Sequence, residues 1–237
     1  MAEPLTSEVL GELLGLLAHD LRNPLSALHS NVGYLGSLSE RYDDDAKEAI
    51  ADALLSCDSL RTVIDSVEIL SHVLTGTTGF ERAGFGLAAL IQEAASDTRP
   101  LAKSHEVELE SSEACSTTGA RVRAHREMAY RALTGLMRNS IQHAPPGSIV
   151  RVSLEEDASM CRVVISDDGS PLNPQVTEAA FTAVGQITTK SLRGGRYSRG
   201  LGLYCAKVCA ELGGTDAAFR LETSGVNSFV LTLPRDL

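Results

Sequence analysis

The chain has no long hydrophobic run. No apolar stretch approaches the ~20 residues that a helix needs to cross a bilayer. The opening MAEPLTSE lacks the basic segment and apolar core of a secretory signal. No membrane segment is expected in this chain, so a signal from across a membrane would have to arrive through another chain or a further segment. Positive charge is scarce as well. Lys and Arg number 21 against 31 Asp and Glu, for a net charge of -10 and a pI of about 5.1. That balance argues against a nucleic-acid-binding surface. The five cysteines (Cys57, Cys115, Cys161, Cys205 and Cys209) have no metal-ligand spacing and are odd in number. Reduced thiols in a cytoplasmic protein are the simplest reading.

What is present is a chain of 237 residues, 43% of them hydrophobic, enough for one or two compact domains. Residues 5–75 read as two long helices. In the first, Leu10, Leu14, Leu17, Leu21, Leu25, Leu28, Val32 and Leu35 recur in steps of three and four, the stripe of a helix packed on other helices. The polar ERYDDDAKE interrupts it, and a second stripe follows: Ile50, Leu54, Cys57, Leu60, Ile64, Val67, Leu70 and Leu74. Two such helices form a hairpin that cannot enclose a core alone, so pairing into a four-helix bundle, and hence a homodimer, is expected. The segment TGTTGFERAGFG reads as a hinge.

From about Phe85 the pattern is mixed. LAALIQEAASDTRPLAK is helical in its first part, and HEVELES alternates like a strand. REMAYRALTGLMRNSIQHA is a strong helix closed by Pro145, Pro146 and Gly147. SIVRVSLEED and MCRVVISDD read as neighbouring strands. GLGLYCAKVCAELGG is a helix opening on glycines, and DAAFRLETSGVNSFVLTLP is a hairpin around Ser224 and Gly225. Strands with helices on one face give an α+β (α/β) sandwich.

Four short motifs stand in a fixed order on these elements: HDLRNPL, LMRNSIQHA, ISDDGSPL and SRGLGL. They resemble the phospho-acceptor box, the asparagine box and the two glycine boxes of bacterial sensor histidine kinases, at the usual separations. The resemblance covers essentially the whole chain. It implies a dimerisation and histidine-phosphotransfer domain at 1–76, a linker at 77–84, and at 85–237 a catalytic ATP-binding domain of the histidine-kinase/Hsp90-like ATPase type.

Residue by residue, the resemblance makes His19 the phospho-acceptor, although an isolated histidine there would be read as a bundle-rim residue. Asp20 would hold the proton of one ring nitrogen and leave the other nucleophilic. Pro24 frees the carbonyl of Asp20 and permits a local bend, or is simply a tolerated kink. Asn23, four residues after His19, is either a water-orienting amide for dephosphorylating a partner or an ordinary exposed asparagine. Asn139 is expected to ligate Mg²⁺ bridging the phosphates of ATP, with His143 near the nucleotide. Asp167 would accept the adenine amine, with Gly169 in the turn after it. Aspartate before a glycine is also common turn chemistry. Gly200 and Gly202 would admit phosphate at a helix start. Arg199 stands beside them, in a basic loop with Lys190, Arg193 and Arg196. Four positions depart from the usual pattern: Gly135 replaces a second asparagine, Gln142 a lysine, and Pro171 and Ser198 replace glycines.

The expected function is a two-component kinase core that autophosphorylates His19 from Mg·ATP and passes the phosphoryl group to a response-regulator receiver domain, with phosphatase activity as a further role. A sensor domain or sensory partner chain would supply the input. The alternatives are a histidine phosphotransferase or a non-catalytic dimeric scaffold with a degenerate nucleotide domain.

Overall fold

The computed structural model describes residues 6–38, 42–77, 79–169, 179, 181, 182, 184, 201–221 and 226–236. The chain divides into two compact units at Thr77 and Thr78.

The first unit is an α-hairpin. Helix α1 (Ser7–Ser37) starts at Thr6, whose hydroxyl accepts from the Val9 N–H at 3.2 Å. Helix α2 (Asp44–Leu74) starts at Asp43, whose carboxylate accepts from the Ala46 N–H at 2.9 Å. The acidic run expected as a connection is therefore split, because aspartate caps a helix N-terminus and Asp44 and Asp45 favour its positive end. α1 runs uninterrupted across Pro24. The carbonyl that loses its donor belongs to Asp20, a side chain 79% exposed, so it lies where water can replace the bond.

The helices meet through small residues. A Cβ on Gly11 would lie 2.8 Å from Thr75 Cγ2, and one on Gly15 would lie 2.9 Å from Ser71 Oγ. Ala18 is 1% exposed. The leucine stripe of α1 is largely turned away from α2: Leu17, Leu21, Leu28 and Leu35 are all exposed. On α2, Cys57, Ile64 and Ile69 are buried while Leu60 is exposed. One apolar period in the sequence thus serves two directions, and the second helix covers only one of them.

The second unit is a five-stranded sheet with helices packed on it. Strand β1 (Ala83–Gly86) leads into α3 (Leu87–Ser104), then β2 (Glu108–Ser111), the short α4 (Glu113–Thr117), β3 (Arg121–Ala124) and α5 (Arg126–His143). The hairpin β4 (Ile149–Glu156) and β5 (Met160–Asp167) follows, then α6 (Gly202–Gly213), β6 (Asp216–Leu221) and β7 (Asn227–Pro234). The main sheet has the order β2-β4-β5-β7-β6, and only the β2–β4 pair is parallel. β1 pairs antiparallel with β3 in a separate ribbon.

α5 packs against α3, α6 and β5. Leu133, Leu136, Met137 and Ile141 from this helix are fully buried, as are Ile165, Phe229 and Leu231 from the strands. β5 and β7 pair from Met160–Pro234 to Asp167–Asn227, so the buried ends of both strands meet at one edge of the core. On the other face, Arg220 of β6 reaches Glu155 of β4 in a bidentate pair at 2.7 and 3.1 Å. By strand register it crosses the rows of Val164 and Val230, which are 3% and 6% exposed.

Two expectations need correction. α3 continues past Pro100, because both Pro100 and Ser96, whose carbonyl loses its partner, lie on the exposed side. The hinge does not extend to residue 86. Phe80 stacks edge-on against His125 with ring centroids 5.2 Å apart, and Ala83–Gly86 is strand. Gly84 serves packing there, since a Cβ would overlap the Asp236 carboxylate while its carbonyl accepts from Arg121 at 2.9 Å. The turn at Ser224 and Gly225 lies outside the described residues, although β6 and β7 pair as expected.

Candidate active site

The C-terminal end of α5 and the end of β5 form one corner. Asp167, the last residue of β5, is 2% exposed. Its Oδ1 accepts from the Gly169 N–H at 3.1 Å and from Asn227 Nδ2 at 3.4 Å. The same Asn227 amide also lies 3.4 Å from the Gly169 carbonyl. A Cβ on Gly169 would sit 2.7 Å from Asp167 Oδ1 and 3.1 Å from the His143 carbonyl. Glycine is therefore required here by the close approach of the Asp167 carboxylate, with α5 behind it, and not by its own backbone angle. Asp167, Gly169 and the backbone of His143 are brought together, while the His143 side chain is exposed.

Asn227 was not legible as a site residue. The sequence marks it only as the polar start of an apolar strand, and its role depends on register with a residue sixty positions earlier.

One turn before Asn139, Gly135 faces α6. A Cβ there would meet Ala206 Cβ at 3.2 Å and the Gly202 carbonyl at 3.7 Å. Asn139, half-buried and four residues on, follows on the same side of α5. The departure at Gly135 thus has a packing reason: α6 occupies the space that a longer side chain would take. Ser140, beside Asn139, is fully buried, and its hydroxyl has no hydrogen-bond partner among the described residues. Gly202 opens α6, and a Cβ there would meet nothing within 4 Å. Arg199, Gly200, Lys190, Arg193, Arg196, Pro171 and Ser198 lie outside the described residues.

The donor set fits an adenine nucleotide at one end: a buried carboxylate fixed by two N–H donors and a cradle that only glycine allows. For Mg²⁺ it offers the amide oxygen of Asn139. No group of three or more acidic, histidine or cysteine side chains that could cage a metal is found among the described residues.

In the first unit, His19 and Asp20 are adjacent and exposed, at 71% and 79%. His19 Nδ1 lies 3.4 Å from Asp20 Oδ1. Asn23 is exposed on the same helical face as His19. Arg22, between them, turns the other way and pairs with Asp65 and Glu68 of α2, each at 3.1 Å.

Residues 124–237 match the family described as histidine kinase-, DNA gyrase B-, and HSP90-like ATPase. The sensor protein CzcS of Cupriavidus metallidurans is 26% identical over 227 residues, which cover 92% of this chain and 44% of that protein. The histidine protein kinase SaeS of Staphylococcus aureus is 27% identical over 205 residues, covering 84% of this chain and 56% of SaeS. The chain spans about half the length of these curated relatives. The solved structure of full-length ShkA in complex with AMPPNP shares the fold with a TM-score of 0.66 at 17% identity, over 98% of this chain and 46% of that one. No helix among the described residues is long and apolar enough to cross a membrane. Residues 124–237 match this ATPase family, and with the histidine-bearing hairpin ahead of them the chain is similar over most of its length to sensor histidine kinases.

Proposed function

We propose that this chain transfers the γ-phosphoryl group of Mg·ATP to His19 and then to an aspartate of a response-regulator receiver domain. The observation that carries the reading is the His19–Asp20 pair. With the Nδ1 proton donated to the carboxylate, Nε2 keeps its lone pair on a solvent-facing side chain. The Nε2–P bond forms as the bond from the γ-phosphorus to the β,γ-bridging oxygen breaks. The electron pair leaves with ADP, and the Nδ1 proton of the resulting imidazolium passes by way of Asp20 to solvent. In the second step a receiver aspartate oxygen attacks the phosphorus and His19 departs as neutral imidazole after reprotonation.

In the second unit, Asp167 would accept from the adenine amine while Gly169 keeps the ring's approach open. Asn139 would hold Mg²⁺ through its amide oxygen, and the bound metal would neutralise phosphate charge. The open space at Gly202, at the start of a twelve-residue helix, suits phosphate approach. Gly200 and Arg199 would complete that end, and His143 the outer edge.

The exposed leucines of α1 favour a homodimer. Asn23 would orient a water for phosphatase action on the regulator. The receiver domain would dock below His19 along Ala27, Ser30, Asn31 and Tyr34, all exposed. Input would come from a sensor domain or sensory partner chain to this cytoplasmic enzyme. No nucleic acid takes part.

One observation favours a second reading. The packing of Gly135 against Ala206 removes a usual ligand position, as in a phosphotransferase or scaffold whose nucleotide domain no longer works. Incubation with γ-labelled ATP and Mg²⁺ separates the two. Label that is lost in acid and survives base marks phosphohistidine and supports the kinase. No label at millimolar ATP supports the second reading.

A further inference from the structure

Arg22 is the one cation of the HDLRNPL motif, and it points away from solvent-facing His19 into the groove between the helices. Its Nη2 donates to Asp65 Oδ1 and Glu68 Oε2, both at 3.1 Å, from positions 43 and 46 residues later in the chain. The three side chains are 36%, 39% and 24% exposed, so the cluster is only partly screened by water. Burial acts to lower the Arg22 pKa, yet Glu68 and Asp65 outweigh it and hold the value raised.

At about 100° per residue, with His19 set at zero, Gly11, Gly15 and Ala18 lie at about -80°, -40° and -100°. Arg22 lies at about -60°, and Leu17, Leu21 and Leu28 lie between about 160° and 200°. Arg22 therefore stands within the arc of the α1–α2 contact, about 60° from His19 and one turn further along the helix. The contact on the N-terminal side of it is made by Gly11, Gly15 and Ala18, side chains too small to interlock. Small residues let two helices approach closely and offer no directional side-chain bond of their own. A single guanidinium nitrogen shared by two carboxylates one turn apart supplies one, and it resists turning of α1 about its axis.

We propose that Arg22 is a positioning residue: its clamp on Asp65 and Glu68 fixes the rotation of α1 against α2 and thereby the direction in which His19 is presented. This rests on the reading of His19 as phospho-acceptor. A side chain reaching about 5–6 Å from the helix axis sweeps about 1 Å for each 10° of rotation. A displacement of about 1 Å in a positioned reaction costs on the order of a hundredfold in rate.

The test compares the double variant Asp65→Ala/Glu68→Ala, Arg22→Ala, and the exchange Arg22→Glu/Glu68→Arg in the full chain. The rate of label transfer from γ-labelled ATP to His19 should fall tenfold to a hundredfold in the first two, with helix content and oligomeric mass unchanged. The exchange should recover a several-fold part of the loss. A purely electrostatic effect predicts the opposite for the double alanine variant, since removing two negative charges near the phosphoryl path would speed transfer. The ring signals of His19 in NMR supply a readout without ATP: they should shift and broaden when the clamp is removed. If the unmodified chain takes no label, the phospho-acceptor reading fails and the ring signals alone decide the clamp. Unchanged or faster transfer in the double alanine variant, or unshifted ring signals, would overturn the proposal.

Discussion

Asn227 Nδ2 lies 3.4 Å from Asp167 Oδ1, so the carboxylate ending β5 is held by its own register partner on β7. Both residues are 2% exposed, and the amide reaches the Gly169 carbonyl as well. The strand pairing, the glycine turn and the candidate adenine acceptor are thus one hydrogen-bonded unit.

Asn227→Ala should therefore weaken ATP binding without unfolding the sheet. A hydrogen bond to a charged group contributes about 1.5–3 kcal/mol, and a loss of about 1.4 kcal/mol is tenfold in affinity. Calorimetric titration with ATP should show a drop of at least tenfold, and Asp167→Asn should reduce the preference for ATP over GTP. Equal affinity in the unmodified chain and the Asn227 variant would remove this residue from the site.

Gly135→Asn restores the residue usual in the resembling family, yet it should not improve nucleotide affinity. Its Cβ would meet Ala206 Cβ at 3.2 Å, and overpacking of this kind costs about 1–3 kcal/mol. A lowered melting temperature with unchanged or weaker ATP binding is expected. Tighter binding at undiminished stability would mean that α6 yields easily.

The sequence marks the helices of this chain well, because apolar periods of three and four are local. It marks Asp167 and Gly169 through turn chemistry and motif order. It does not show that Asn227 faces Asp167 or that Arg22 meets Asp65 and Glu68, since both depend on the packing of segments 43 to 60 residues apart. The four-residue strands β1 and β3 were too short to show a period. The leucines of α1 were legible as an apolar face, but the sequence could not say that Gly11 and Ala18 would meet α2 while Leu21 would not.

That distinction separates two substitutions that look alike in the sequence. Leu21, 54% exposed, faces away from α2, whereas Ile64, 7% exposed, is buried within the hairpin. Leu21→Glu should convert dimers to folded monomers in light scattering. Ile64→Glu should instead melt the hairpin, seen as lost helix content, because a carboxylate buried without a partner is strongly destabilising. A monomeric unmodified chain would contradict the four-helix arrangement.

The Arg220–Glu155 pair gives the second unit a specific pH response. The hydrogen bond from Arg220 holds Glu155 below its ordinary value of 4.5, against the opposing effect of partial burial. A carboxylate whose folded-state pKa is depressed adds stability above its unfolded pKa and loses it as pH falls through the folded value. The melting temperature of the unmodified chain should exceed that of Glu155→Gln near neutral pH, and the gap should close below about pH 4.5. A gap that does not change with pH would assign the difference to packing.

Locating the phosphoryl group on the chain decides whether His19 receives it. After incubation with Mg·ATP at neutral pH, mass spectrometry of fragments kept out of acid should find one phosphoryl group on His19. His19→Gln should carry none, while keeping its ATP affinity and its oligomeric mass. A phosphoryl group on His29 or His143, or undiminished acid-labile label in His19→Gln, would contradict the account.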